Sequence, residues 1–95
     1  MAGYLIAEIE VHDPALFEEY RKLVPATIAK YGGKYLVRGG ATDTLEGDWA
    51  PARLVMLEFP TLEQARKWYH SAEYKPLLAM RLKAAKSKAI LAEGV

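Results

Sequence analysis

The chain has 95 residues, 52% of them hydrophobic and 26% charged, with 13 basic against 12 acidic side chains. That is the length and composition of a globular domain, expected to be a single unit over residues 1–95, and the charge balance argues against a nucleic-acid or anionic-membrane surface. Cysteine is absent, which removes disulfides, thiolate metal sites, iron–sulfur clusters and a cysteine nucleophile.

Gly3 to Val11 alternates strictly. Leu5, Ala7, Ile9 and Val11 share one face, and Tyr4, Ile6, Glu8 and Glu10 the other, so the spacing predicts a strand. Asp13-Pro14 then starts a helix, with Asp13 as the cap and Pro14 in the first turn. Leu16, Phe17, Tyr20, Leu23 and Val24 follow at helical spacing. Pro25 lacks a donor, so the helix is expected to kink or restart there before Gly32-Gly33 ends it.

Lys34 to Arg38 reads as a short strand, and Gly39 to Pro51 as a long connection. Ala52 to Phe59 reads as the third strand. Thr61 with Gln64 forms a capping box ahead of a helix whose apolar stripe is Leu62, Ala65, Trp68 and Tyr69. Ser71 can cap the next turn, and Pro76 starts a further helix through Leu77, Leu78, Arg81, Leu82 and Ala85. Lys88 to Glu93 reads as the fourth strand. No stretch approaches the ~20 apolar residues of a membrane span, and Met1 to Glu10 lacks the form of a signal peptide, so a cytoplasmic protein is expected.

The order predicts an α+β, ferredoxin-like β-α-β-β-α-β sandwich, with an antiparallel sheet in the order 4-1-3-2 and helices on one face. Leu5, Ala7, Ile9, Val11, Val55, Leu57 and Phe59 suit the helix-covered side. Tyr4, Ile6, Leu36, Leu54, Met56 and Leu91 are expected on the other, which is then too apolar to be left in water. Two such faces packed together give a homodimer with a shared core, a dimeric α+β barrel.

Tyr31 to Gly40 (YGGKYLVRGG), Leu45 to Trp49 (LEGDW), Leu57 to Pro60 (LEFP) and Ser71 to Tyr74 (SAEY) resemble domain-of-unknown-function family 1330, within the dimeric α+β barrel superfamily. The resemblance covers nearly the whole chain. It implies the same fold and dimer, and brings no established activity. The superfamily includes cofactor-free monooxygenases, lactone isomerases, haem enzymes and members without known catalysis, and a shared fold does not carry shared chemistry.

The topology predicts two polar clusters on the dimer-facing side. Arg38 is expected near Glu8 or Glu10, and Glu58 near Tyr4 and Lys34, with Glu93 close by. Such clusters either bind an anionic ligand and tune proton transfer, or are ion pairs that fix dimer register. Gly39 either brings backbone amides to a ligand oxygen or serves a strand end that needs positive φ. Trp49 has three readings: packing on the partner, lidding a pocket, or simple exposure. Trp68, Tyr69 and Tyr20 read as core.

His12 and His70 are not spaced as a metal pair, so no metal is expected, and no cofactor; His70 is only the nominal candidate for a haem ligand. The third strand lacks the aromatic pattern of an RNA-binding sheet. Two functions stay open: a non-catalytic dimeric binding or accessory protein, and a cofactor-free isomerase or monooxygenase acting on a small apolar or aromatic molecule. The second requires a cavity between sheet and helices, or in the barrel interior, of ~300 Å³ or more and lined by Arg38, Glu8, Glu58 or Tyr4.

Overall fold

The computed structural model describes residues Met1–Val95. Its elements are β1 (Gly3–Val11), α1 (Pro14–Lys30), β2 (Lys34–Arg38), β3 (Leu54–Phe59), α2 (Leu62–Tyr69), α3 (Lys75–Ala84) and β4 (Ala85–Glu93). The strands form one antiparallel sheet in the order β2-β3-β1-β4, which is the expected 4-1-3-2 arrangement seen from the other edge. No helix is long and apolar enough to cross a membrane.

The expected caps form. Asp13 accepts from the Leu16 N–H, and Thr61 from the Gln64 N–H. The Ser71 hydroxyl accepts from the Tyr74 N–H between α2 and α3. Gly32 ends α1 with φ of 78°. The core lies between the sheet and the helices. Leu5, Ala7, Ile9, Leu57 and Phe59 face Phe17, Tyr20, Val24, Ile28, Trp68 and Tyr74. Trp68 and Tyr74 stack with ring centroids 4.1 Å apart. The Trp68 indole N–H donates to Thr27 Oγ1, so the core's largest ring leaves no polar atom unpaired.

Four expectations need correction. First, α1 does not restart at Pro25 but is continuous from Pro14 to Lys30. A proline at that position leaves the carbonyl of Arg21, four residues earlier, without its helical donor. Arg38 supplies one: its Nη2 donates to the Arg21 carbonyl at 2.8 Å. The freed acceptor is satisfied and the helix continues.

Second, Arg38 therefore lies on the helix side, away from Glu8 and Glu10. The cause is a bulge in β2. Tyr35 pairs with Leu57, but Val37 pairs with Met56, so Leu36 is an extra residue. The slip turns Arg38 onto the side of its partner Val55.

Third, Leu91 pairs with Leu5 and packs against the helix-side core, while Ile90, paired with Ile6, faces the open side and is 62% exposed. Fourth, Glu93 pairs with Gly3 and so falls on the helix side, leaving Ala92 beside Tyr4. β4 also begins three residues earlier than expected, directly at the end of α3, because Ala85, Lys86 and Ser87 extend its ladder with β1.

Candidate functional site

The six residues singled out from the sequence fall into three places. Tyr4 and Glu58 meet at one end of the open sheet face, where the Tyr4 hydroxyl donates to Glu58 Oε1 at 3.3 Å. Lys34 Nζ lies 3.2 Å from Glu58 Oε2, so this cluster forms as expected. Its groups are mutually bonded.

Glu8 lies toward the other end, beside Lys88 and Leu54, and Glu10 lies beside Lys86. These opposite charges face each other across the strands. They border an open cleft of about 380 Å³. Trp49, 57% exposed, borders a shallow groove with Ile6, Leu54 and Ile90 on the same face.

Arg38 and Gly39 belong to a different site. A partly enclosed cavity of about 40 Å³ lies between the sheet and the helices. Seventeen residues line it and 13 are hydrophobic; the other four are Arg21, Arg38, Arg53 and Arg81. No carboxylate lines it. The cleft by Glu8 is larger, but acids and lysines share its walls. The cavity carries four cations and no anion, and that asymmetry is chemically unusual.

Each arginine is held by the local fold. Arg38 is docked on the Arg21 carbonyl, and its guanidinium lies over the Tyr35 ring, 4.5 Å from the centroid. Arg53 immediately precedes β3, and its own carbonyl accepts from the Ile9 N–H. Its guanidinium stands 5.4 Å from the Phe17 ring centroid and packs against Gly39. A Cβ on Gly39 would come within 2.6 Å of Arg53 Nη1, and Gly39 has φ of 72°. Glycine is therefore needed twice there, for the turn and for the approach of the guanidinium.

Arg81 enters from α3 and is only 5% exposed. It donates to the Tyr74 hydroxyl at 3.3 Å and to Ser87 Oγ, both uncharged. The Tyr74 hydroxyl also pairs with that of Tyr20 at 2.8 Å.

The electrostatics differ between the arginines: burial opposes the charge of Arg81, but the neighbouring Tyr74 outweighs it and raises that guanidinium, whereas Arg53 is lowered. Burial, then the like charges of Arg21 and Arg38, push the Arg53 guanidinium below its ordinary value. Burial raises the Tyr20 and Tyr35 hydroxyls, which stay protonated at neutral pH. Arg53 Nε is buried and has no hydrogen-bond partner. The one carboxylate paired to any of these arginines is Glu18, 3.7 Å from Arg21 in an exposed contact along α1. An arginine remains charged at all relevant pH, so the cavity wall stays cationic.

Sequence reasoning missed Arg21 and Arg53 as members of one site. Arg81 did leave a signal, as a charged residue inside the apolar stripe of α3.

Known structures share this architecture. A protein of unknown function from Rhodopseudomonas palustris aligns with a TM-score of 0.75 at 16% identity, over 99% of this chain and 82% of that one. SnoaB, a cofactor-independent oxygenase from Streptomyces nogalater, aligns with a TM-score of 0.66 at 15% identity, over 99% and 93%. A conserved protein from Methanosarcina mazei aligns with a TM-score of 0.63 at 18% identity, over 100% and 94%. At these identities the likeness is one of fold. No curated protein matches the chain. The matching family pattern spans residues 2–95, and on that match the chain belongs to the family described as Domain of unknown function (DUF1330).

Proposed function

We propose that this protein is a homodimeric binding protein, one unit over its 95 residues, that takes a small organic molecule into the cavity between sheet and helices. The observation that carries the reading is the composition of the cavity wall: four arginines, 13 hydrophobic residues and no acid. A packed core gains nothing from an unpaired buried charge, which costs several kcal/mol. Arg81 at 5% exposure with only hydroxyl partners is therefore a departure from stability that a ligand would explain.

The dimer rests on the open sheet face. Leu36 and Ile90 are 46% and 62% exposed, and Ile6, Leu54 and Met56 are only partly covered. A second copy would cover this surface, and the Glu8 and Glu10 carboxylates opposite Lys88 and Lys86 would fix its register.

Catalysis is the second reading. The Tyr20–Tyr74 hydroxyl pair faces the same cavity and can hold a proton beside a bound molecule. The shared fold with a cofactor-independent oxygenase makes oxygenation the reaction to test. Each ligand found by thermal shift is incubated in air-saturated buffer with an oxygen electrode, and then recovered. A binding protein returns it unchanged and consumes no oxygen, whereas oxygen uptake or an isomerised product establishes the catalytic reading. Filling the cavity by Ala7→Val must abolish the thermal shift in either case. A shift that survives filling places the ligand elsewhere and removes this proposal.

A further inference from the structure

The cavity specifies the class of its ligand. We propose that it binds a compact carboxylate, its oxygens held by Arg38 and Arg53 and its apolar end directed toward Trp68 and Leu57. The inference rests on the reading of the cavity as a ligand site.

Charge is the first argument. All four charged positions of the wall are arginines, so an entering molecule meets positive charge without competing acid. Arg21 and Arg38 stand close enough to Arg53 for their charge to lower it, and an anion beside Arg53 would relieve that repulsion.

The second argument is an unspent donor. Arg53 Nε is buried and has no partner, an arrangement rare in folded proteins. The Gly39 backbone and the Phe17 ring hold that guanidinium in place, so its fork is already oriented. Arg38 is likewise fixed, one nitrogen on the Arg21 carbonyl, which leaves its other N–H groups free to donate.

The third argument is shape. A planar fork matches the two oxygens of a carboxylate. A phosphate would bring more charged oxygens than two arginines can satisfy, into a wall with 13 hydrophobic members of 17. Size sets the remaining limit. About 40 Å³ accommodates on the order of three water-sized groups. A short branched acid such as isobutyrate exceeds that closed volume, so it enters as the exposed Arg21 side chain at the cavity wall moves aside, and benzoate requires the larger displacement.

The chain has two tryptophans, Trp49 and Trp68, and only Trp68 lines the cavity. In a Trp49→Phe protein the fluorescence therefore reports on the site alone. The probes are isobutyrate and benzoate, each against its neutral counterpart, isobutyramide and benzyl alcohol. Both acids are expected to shift Trp68 emission and raise the melting temperature, and to bind at least about tenfold more tightly than their counterparts, a difference of about 1.4 kcal/mol.

Arg53→Met should remove that preference, so that each acid binds no more tightly than its neutral counterpart. Arg53→Lys, which keeps the charge but loses the fork, should retain part of it and guards against a folding defect in the first variant. Neutral compounds binding as tightly as the acids would overturn the carboxylate assignment and leave the cavity reading standing. No emission or melting response to any of the four would remove both. Displacement of isobutyrate by equimolar inorganic phosphate would also overturn the assignment.

Discussion

Arg81→Met separates stability from function at the most buried charge in the molecule. The guanidinium is 5% exposed and has two uncharged partners, the Tyr74 hydroxyl and Ser87 Oγ. Hydrogen bonds from a charged donor contribute roughly 1.5–3 kcal/mol each, so the substitution removes about 3–6 kcal/mol. It also removes the desolvation of an ion, several kcal/mol in a protein interior. Methionine keeps much of the aliphatic volume. The Tyr74 hydroxyl retains Tyr20 at 2.8 Å, and half-buried Ser87 can bond to water, so neither partner is stranded.

The contributions nearly cancel. The unfolding free energy is expected to stay within about 1 kcal/mol of the parent, or to rise by up to about 2 kcal/mol. Urea unfolding at one fixed protein concentration, with the slope compared between the two proteins, measures the difference. Binding of isobutyrate should fall in the same variant. A loss of more than about 3 kcal/mol would show that Arg81 supports the fold, and would refute the view that its charge is held at a cost for a ligand.

Gly39→Ala should cost about 1–2 kcal/mol, from the backbone conformation alone. It should also weaken isobutyrate binding, because the new methyl meets the Arg53 guanidinium; an unchanged affinity would separate Gly39 from the site. Ile90→Asp places a charge on the open face and should reduce the particle in sedimentation equilibrium from twice 10.6 kDa to 10.6 kDa; a parent that already sediments as 10.6 kDa excludes the dimer. Glu73 is held down to about 2 by its hydrogen bond from Lys30, with Tyr31 donating a further one at 3.0 Å. A depressed carboxyl stabilises the fold above its ordinary value of 4.5, and that contribution is lost as pH falls toward about 2. Glu73→Gln should thus lower the melting temperature slightly at pH 7, with a deficit that shrinks between pH 4.5 and 2; a deficit independent of pH would contradict this.

The fold was legible because local signals agreed with one another. Strict alternation from Gly3 to Val11 set the orientation of β1, and Asp13 and Thr61 marked the starts of α1 and α2. The Tyr4–Glu58–Lys34 cluster followed from strand adjacency alone. The site was less legible because it depends on parity and on a distant pairing. Three consecutive apolar residues, Tyr35 to Val37, hide the bulge at Leu36, and one extra residue reverses the side on which Arg38 emerges.

The same sensitivity to parity misplaced Leu91, whose side is set by its pairing with Leu5. The Pro25 effect could not be read locally either, since the donor that completes the Arg21 carbonyl lies seventeen residues away. What the sequence did show, without its meaning, was an arginine within the apolar stripe of α3.

A crystal structure of the protein with isobutyrate at saturating concentration tests the central claim most directly. The account predicts density for the acid in the cavity between sheet and helices, with its carboxylate oxygens within about 3 Å of Arg38 and Arg53 nitrogens. A cavity holding only ordered water, or closed by repacked side chains, under those conditions would contradict it.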